Sequence, residues 1–98
     1  MINQIKLSRA LADQNRLKIL DMLSQGQMNV SGVAETLNVE ENLASHHLRV
    51  LASLGFLKSD KRGREVFYRV NRTKMVSLIK DLNKNPLFKE ILEEALQD

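Results

Sequence analysis

NVSGVAETLNVEENLASHHLRVLASLGFLKSDKRGREVFYRV, residues 29–70, holds two short helical patterns and a hairpin pattern in close succession. Val30–Leu37 and Glu41–Leu54 carry apolar residues at helical spacing, and only Asn38-Val39-Glu40 separates them, so the stretch predicts two helices joined by a tight turn. Further on, Phe56-Leu57-Lys58-Ser59 and Arg64 to Val70 flank Asp60-Lys61-Arg62-Gly63. Val66, Tyr68 and Val70 alternate with Phe67 and Arg69, the period of a strand with one packed face. Gly55 breaks the helix before the hairpin, and Gly63 supplies a turn residue that can take positive φ. The stretch therefore reads as a helix-turn-helix followed by a basic β-hairpin with its turn at residues 60–63. A helix fits the major groove of duplex DNA, and a basic hairpin beside it can hold the phosphate backbone.

Outward from this segment, more helices are expected on both sides. A first helix covers roughly Asn3 to Ala12, with Ile5 and Leu11 among its few large apolar residues. Asp13 is a suitable N-cap for a second helix, Gln14 to Ser24, because its carboxylate can accept from first-turn N–H groups. That helix carries Leu17, Leu20 and Leu23 on one stripe, widened by Ile19. Asn29 can cap the next helix, where Val33, Ala34 and Leu37 face inward and Gly32 is read as permitting close helix packing. After the hairpin, Met75, Leu78, Ile79 and Leu82 fall at i, i+3, i+4 and i+7, a helical face. Asn85-Pro86 reads as an N-cap with Pro at the first helical position. A last short helix to Gln97 then shows Leu87, Phe88, Ile91, Leu92, Ala95 and Leu96 on one face. The expected fold is mainly α with a small β-hairpin, in the order α-α-α-α-β-β-α, with an extra short C-terminal helix. It forms a single domain of 98 residues.

Composition narrows the function. Hydrophobic residues make up 43% of the chain but aromatic ones only 4%, and there is no Trp. A thin aliphatic core in a small domain is often completed by oligomerisation. The absence of Cys excludes disulfides and thiolate metal sites. His46 and His47 are adjacent, so on a helix they point about 100° apart and cannot easily share a metal. No apolar run approaches the roughly 18 residues of a membrane span, and Met1-Ile2-Asn3-Gln4 does not start a signal pattern, so a cytoplasmic protein is expected. No nucleophile–base pair, glycine-rich phosphate loop or carboxylate cluster points to an enzyme. The net charge is +3, but its placement is uneven. Ser45 to Lys74 holds eight basic residues against two acidic ones, whereas from Asn85 onward there is one basic residue against four acidic. Basic clustering within a motif is the footprint of a nucleic-acid partner, and the acidic end argues against an anionic membrane.

The helix Glu41–Leu54 sorts by angle. Asn42, Ser45, His46 and Arg49 fall at i, i+3, i+4 and i+7, forming one polar stripe. Leu43, Val50 and Leu54, with Leu51 beside them, form the apolar side, flanked by Leu48 and Ala44. The stripe has the residue types that read base edges: Asn for adenine, Arg for guanine, Ser and His for several acceptors. The plain alternative is the solvated face of an amphipathic helix, though such faces are usually richer in Glu and Lys. His47 lies off the stripe and three residues before Val50, so it reads as a structural histidine. Glu40 and Glu41 suit a helix N-terminus but repel phosphate, and they are read as capping the helix at some cost in DNA affinity. Lys61, Arg62 and Arg64 at the hairpin tip are the phosphate or minor-groove candidates, supplying affinity rather than sequence choice. A different class stays open: a winged-helix module that binds protein through the apolar face of Pro86–Gln97.

Four segments together resemble the ArsR/SmtB family of bacterial and archaeal winged-helix repressors. They are Ala10-Leu11-Ala12-Asp13 through Asn15-Arg16-Leu17-Lys18-Ile19-Leu20; Ser45-His46-His47-Leu48-Arg49-Val50-Leu51; Gly55-Phe56-Leu57; and Arg62-Gly63-Arg64 through Phe67-Tyr68-Arg69-Val70. The resemblance covers roughly residues 5 to 82. It implies a homodimer joined through the first helix and the helix after the hairpin, with Ile5, Leu78, Ile79 and Leu82 at the interface. It also implies double-stranded DNA with two-fold symmetry as the partner. Many members sense metal, and there this chain departs. Asn29 and Ser31 stand where those members carry a Cys-x-Cys pair. Arg72, Lys74, Asn85 and Phe88 stand at their other ligand positions, and Pro86 interrupts that helix. None of these sets suits zinc, so no metal and no cofactor are expected. Met22, Met28 and Met75 read as core filling.

Overall fold

The computed structural model describes residues 9–87 and 89–90. Residues 9–11 are helical and lead through Asp13 into α1 (Gln14–Ser24). There follow β1 (Met28–Asn29), α2 (Val30–Leu37), α3 (Glu41–Ser53), β2 (Leu57–Arg62), β3 (Glu65–Val70) and α4 (Arg72–Asn83).

Local chemistry sets the helix boundaries. Asp13 Oδ1 accepts from the N–H of Asn15 at 2.8 Å and of Arg16 at 3.3 Å, as expected of the cap of α1. Asn29 Oδ1 accepts from the Gly32 N–H at 2.8 Å, while its Nδ2 donates to Glu65 Oε1 at 2.9 Å. One side chain thus caps α2 and ties it to β3. Gly32 serves this cap rather than helix packing, since a Cβ there would lie 3.0 Å from Asn29 Oδ1 and 3.4 Å from Met28 Cε. Asn29→Ala should therefore destabilise the domain by about 1 kcal/mol, and Asn29→Ser should recover most of that. Urea denaturation checks this, and an alanine variant as stable as the parent would count against the cap.

The turn between α2 and α3 rests on Asn38, which sits at φ 56°, ψ 50°. Asn tolerates this left-handed conformation better than most residues. It allows the Asn38 N–H to reach the Glu35 carbonyl at 3.1 Å and the Val39 N–H to reach that of Ala34 at 3.0 Å. Glu40 makes no side-chain capping bond at the start of α3, contrary to the sequence expectation. Glu41 instead accepts from Ser31 Oγ at 2.8 Å, joining the first turns of α2 and α3.

The three strands form an antiparallel sheet in the order β1-β3-β2. Arg62 pairs with Glu65, so the hairpin turn is only Gly63-Arg64, with Gly63 at φ 62°. Glycine at the first position of a two-residue turn matches the right-handed strand twist. Asp60, Lys61 and Arg62 thus belong to a strand, not to the turn where the sequence placed them. The short β1 was missed altogether: Met28 pairs with Tyr68 and Asn29 with Phe67.

The core gathers Ile19 and Leu23 of α1, Val33 and Ala34 of α2, and Ala44, Leu48 and Leu51 of α3. Phe56, Leu57, Tyr68 and Leu78 close it from the sheet and α4. Two expectations are corrected here. Leu17 is exposed, because α1 buries the face of Ile19 and Leu23. Leu78 is only 2% exposed and packs inside this protomer, so it has no free face for a partner subunit. Its neighbour Ile79, rotated about 100° around the helix, is 44% exposed, as is Val76 at 52%. Ile5 and the side chain of Leu82 lie outside the described residues. Beyond α4, Asn85 Oδ1 accepts from the Leu87 N–H at 3.0 Å, the expected N-cap. Phe88 and the rest of that apolar face from Ile91 onward also lie outside the described residues.

Candidate nucleic-acid interface

α3 is oriented by a buried seam at i, i+3, i+4 and i+7: Ala44, His47, Leu48 and Leu51. The seam is rotated from the expected side of Leu43, Val50 and Leu54. Leu43 is exposed, while Val50 and Leu54 are half-buried. Asn42, Ser45, His46 and Arg49 nevertheless fall on the far side together. Asn42, His46 and Arg49 are exposed, and Ser45 is half-buried. Arg49 Nε donates to the Ser45 carbonyl one turn back at a long 3.4 Å, and its guanidinium forms no ion pair among the described residues. The stripe thus presents two amide- or imidazole-bearing side chains, a hydroxyl and a guanidinium, all able to hydrogen-bond outward.

His47, set aside as structural, is 5% exposed. Its Nδ1 accepts from Arg16 Nε at 3.1 Å, which joins α1 to α3 and places the proton of the neutral ring on Nε2. Burial lowers its pKa from 6.5; Asp13 opposes the shift, while Arg16 and His46 add to it. The His46 ring lies 5.8 Å from that of His47. Because the folded pKa is depressed, the unfolded chain binds more protons between the two values. The stability His47 contributes is therefore full above about pH 6.5 and is lost as pH falls through the folded pKa. Denaturation midpoints should drop as pH falls below about 6.5, and His47→Gln should flatten that drop. An unchanged slope in the variant would contradict this role.

The wing divides its cations by task. Arg62 Nε lies 3.0 Å from Asp60 Oδ2, an Nη2 proton goes to Gln27 Oε1 at 3.0 Å, and the guanidinium carbon sits 4.7 Å from the Phe67 ring centre. These contacts brace the hairpin against the segment before β1, so Arg62 is already engaged. The side chains of Lys61, near the end of β2, and of Arg64, in the turn, are exposed and make no hydrogen bond or ion pair among the described residues. Arg72, counted in the basic cluster, donates to the Ser24 carbonyl at 3.2 Å and satisfies the end of α1. The register also makes Lys58 and Arg69 direct cross-strand neighbours, which sequence counting did not bring out. Like charges so placed repel, and a nearby anion relieves them.

A helix-turn-helix with an outward polar stripe and a β-wing beside it defines a winged helix-turn-helix domain. Residues 13–59 match the family model described as bacterial regulatory protein, arsR family. Relatives extend that match. The transcriptional repressor SdpR of Bacillus subtilis is 34% identical over 65 residues, 66% of this chain and 72% of SdpR. The HTH-type transcriptional regulator NmtR of Mycobacterium tuberculosis is 38% identical over 71 residues, 72% of this chain but 59% of NmtR. The chain belongs to the arsR family of bacterial regulatory proteins, and it spans about three fifths of the length of NmtR. Among solved structures, a homodimeric winged helix-turn-helix DNA-binding domain from Mycobacterium bovis superposes with a TM-score of 0.65. It is described as part of a possible ArsR-family transcriptional regulator. The identity is 28%, over 82% of this chain and 77% of that one.

Among the described residues, no group of three or more His, Asp or Glu is placed to hold a metal, and no helix is long and apolar enough to cross a membrane. Asn29 and Ser31 are hydrogen-bonded to Glu65 and Glu41 respectively.

Proposed function

We propose that this chain is a dimeric cytoplasmic repressor that reads a two-fold symmetric DNA operator and blocks a promoter by occupying it. The observation that carries this reading is the split of α3. Its seam of Ala44, His47, Leu48 and Leu51 is committed to the core, which leaves Asn42, Ser45, His46 and Arg49 on the outward side of α3, while Lys61 and Arg64 are exposed on the wing. In this role Asn42, Ser45, His46 and Arg49 contact base edges, Lys61 and Arg64 contact phosphates, and Arg62 holds the wing in shape. A homodimer places two copies of α3 in successive major grooves, about one helical turn apart. The exposed Ile79 and Val76 on α4 supply an apolar surface for the second copy, with Leu78 supporting it from within, and the family resemblance adds Ile5 and Leu82 to the interface.

The repressor works without bound metal. Asn29 and Ser31 offer neutral groups to their carboxylate partners, and neutral amides and hydroxyls are poor ligands for a transition metal. The test is selection of duplexes from a random pool by the purified chain. Enriched sequences should share inverted half-sites centred about ten base pairs apart. A pool that stays random, or one enriched in a single unpaired site, would contradict the reading.

A further inference from the structure

Leu43 is 42% exposed in the first turns of α3. It belongs neither to the core nor to the half-buried apolar residues packed against it, since α3 contributes Ala44, Leu48 and Leu51 to the interior. It shares a shallow open recess with Asn38, Val39 and Glu40 at the foot of the turn. In sequence it follows Asn42 and precedes His46 by three positions, so it flanks the outward stripe at about 60°. An unpacked branched apolar side chain there costs solvation while the protein is free, and that cost is recovered only against an apolar partner.

Resting on the DNA reading above, we propose that Leu43 is a specificity residue that packs against the C5-methyl of a thymine in each half-site. Thymine is the base that displays an apolar group in the major groove. Leu43 is the large apolar side chain that α3 leaves exposed beside its polar stripe. The contact selects thymine without a hydrogen bond, at a position next to that read by Asn42. Glu40 and Glu41, on the same turn, disfavour phosphate there, so a neutral methyl contact suits the local charge.

Deoxyuridine lacks only the methyl and keeps the pairing edge, which makes the test direct. Each thymine of an operator recovered by selection is replaced in turn by deoxyuridine, and affinity is measured by fluorescence anisotropy. One position per half-site should lose about fourfold, the effect of one buried methyl. In Leu43→Ala the thymine and uracil duplexes should bind alike at that position, while Leu43→Met should keep the discrimination. Uracil that is tolerated everywhere, or discrimination that survives in Leu43→Ala, overturns the inference while leaving the DNA reading standing. A chain that binds no selected duplex overturns both.

Discussion

Replacing Lys61 and Arg64 together with alanine should weaken binding to every duplex, operator or not, and flatten its dependence on salt. Both cations are exposed at the wing tip and make no internal ion pair among the described residues, so their charge is available to phosphate. A dimer would lose four phosphate contacts. Each contact contributes about 0.9 to the slope of log affinity against log salt, so the slope should fall by about three to four. At about 0.1 M salt, a tenth of the roughly 1 M reference, that slope corresponds to a loss on the order of a thousandfold. Arg62→Ala should behave differently. Its guanidinium already serves Asp60, Gln27 and Phe67, so its removal should loosen the hairpin more than it changes the salt slope. Anisotropy titrations at several salt concentrations separate the two cases. A double variant with the parent slope would mean that the wing tip does not touch the backbone.

Arg49→Ala should do the converse. Its guanidinium stands outward on α3, held among the described residues only by a 3.4 Å bond to the Ser45 carbonyl, and Arg is the side chain best matched to the O6 and N7 of guanine. Loss of each bidentate base contact costs roughly 1–3 kcal/mol, and a dimer loses two, so affinity for the operator should fall by about thirtyfold or more. Binding to unrelated duplexes should change far less. The variant should also accept other bases where the parent demands guanine, which repeat selection would reveal. Because Arg49 is exposed, its melting temperature should stay near that of the parent. Equal losses on operator and unrelated DNA would reassign Arg49 to the phosphates.

The parts of this protein that were legible in the sequence are those set by local chemistry. Asp13 and Asn29 cap helices through bonds that span two or three residues, and Asn38 turns the chain by its own backbone conformation. His47 was recognisable as structural from its angle, but its partner Arg16 lies 31 positions away and could not be read. The faces of α3 were half legible. Apolar residues occupy most of its circumference, so pattern alone cannot tell that Ala44 goes in while Leu43 stays out. The polar stripe, being contiguous, survives either rotation. Leu78 and Ile79 pose the same difficulty on α4: both are apolar neighbours, and only packing decides which one is buried. β1, two residues long, has no period to detect, and it exists because Asn29 and Met28 lie along β3. The engagement of Arg62 likewise follows from a strand register that the sequence pattern placed elsewhere.

In the proposed role α3 reads sequence rather than merely meeting DNA as a cation surface. One comparison tests it most directly: affinity for the selected operator against a shuffled duplex of equal length and composition, at the same near-physiological salt. The operator should be favoured by at least about a thousandfold. Equal affinity for the two duplexes would contradict it.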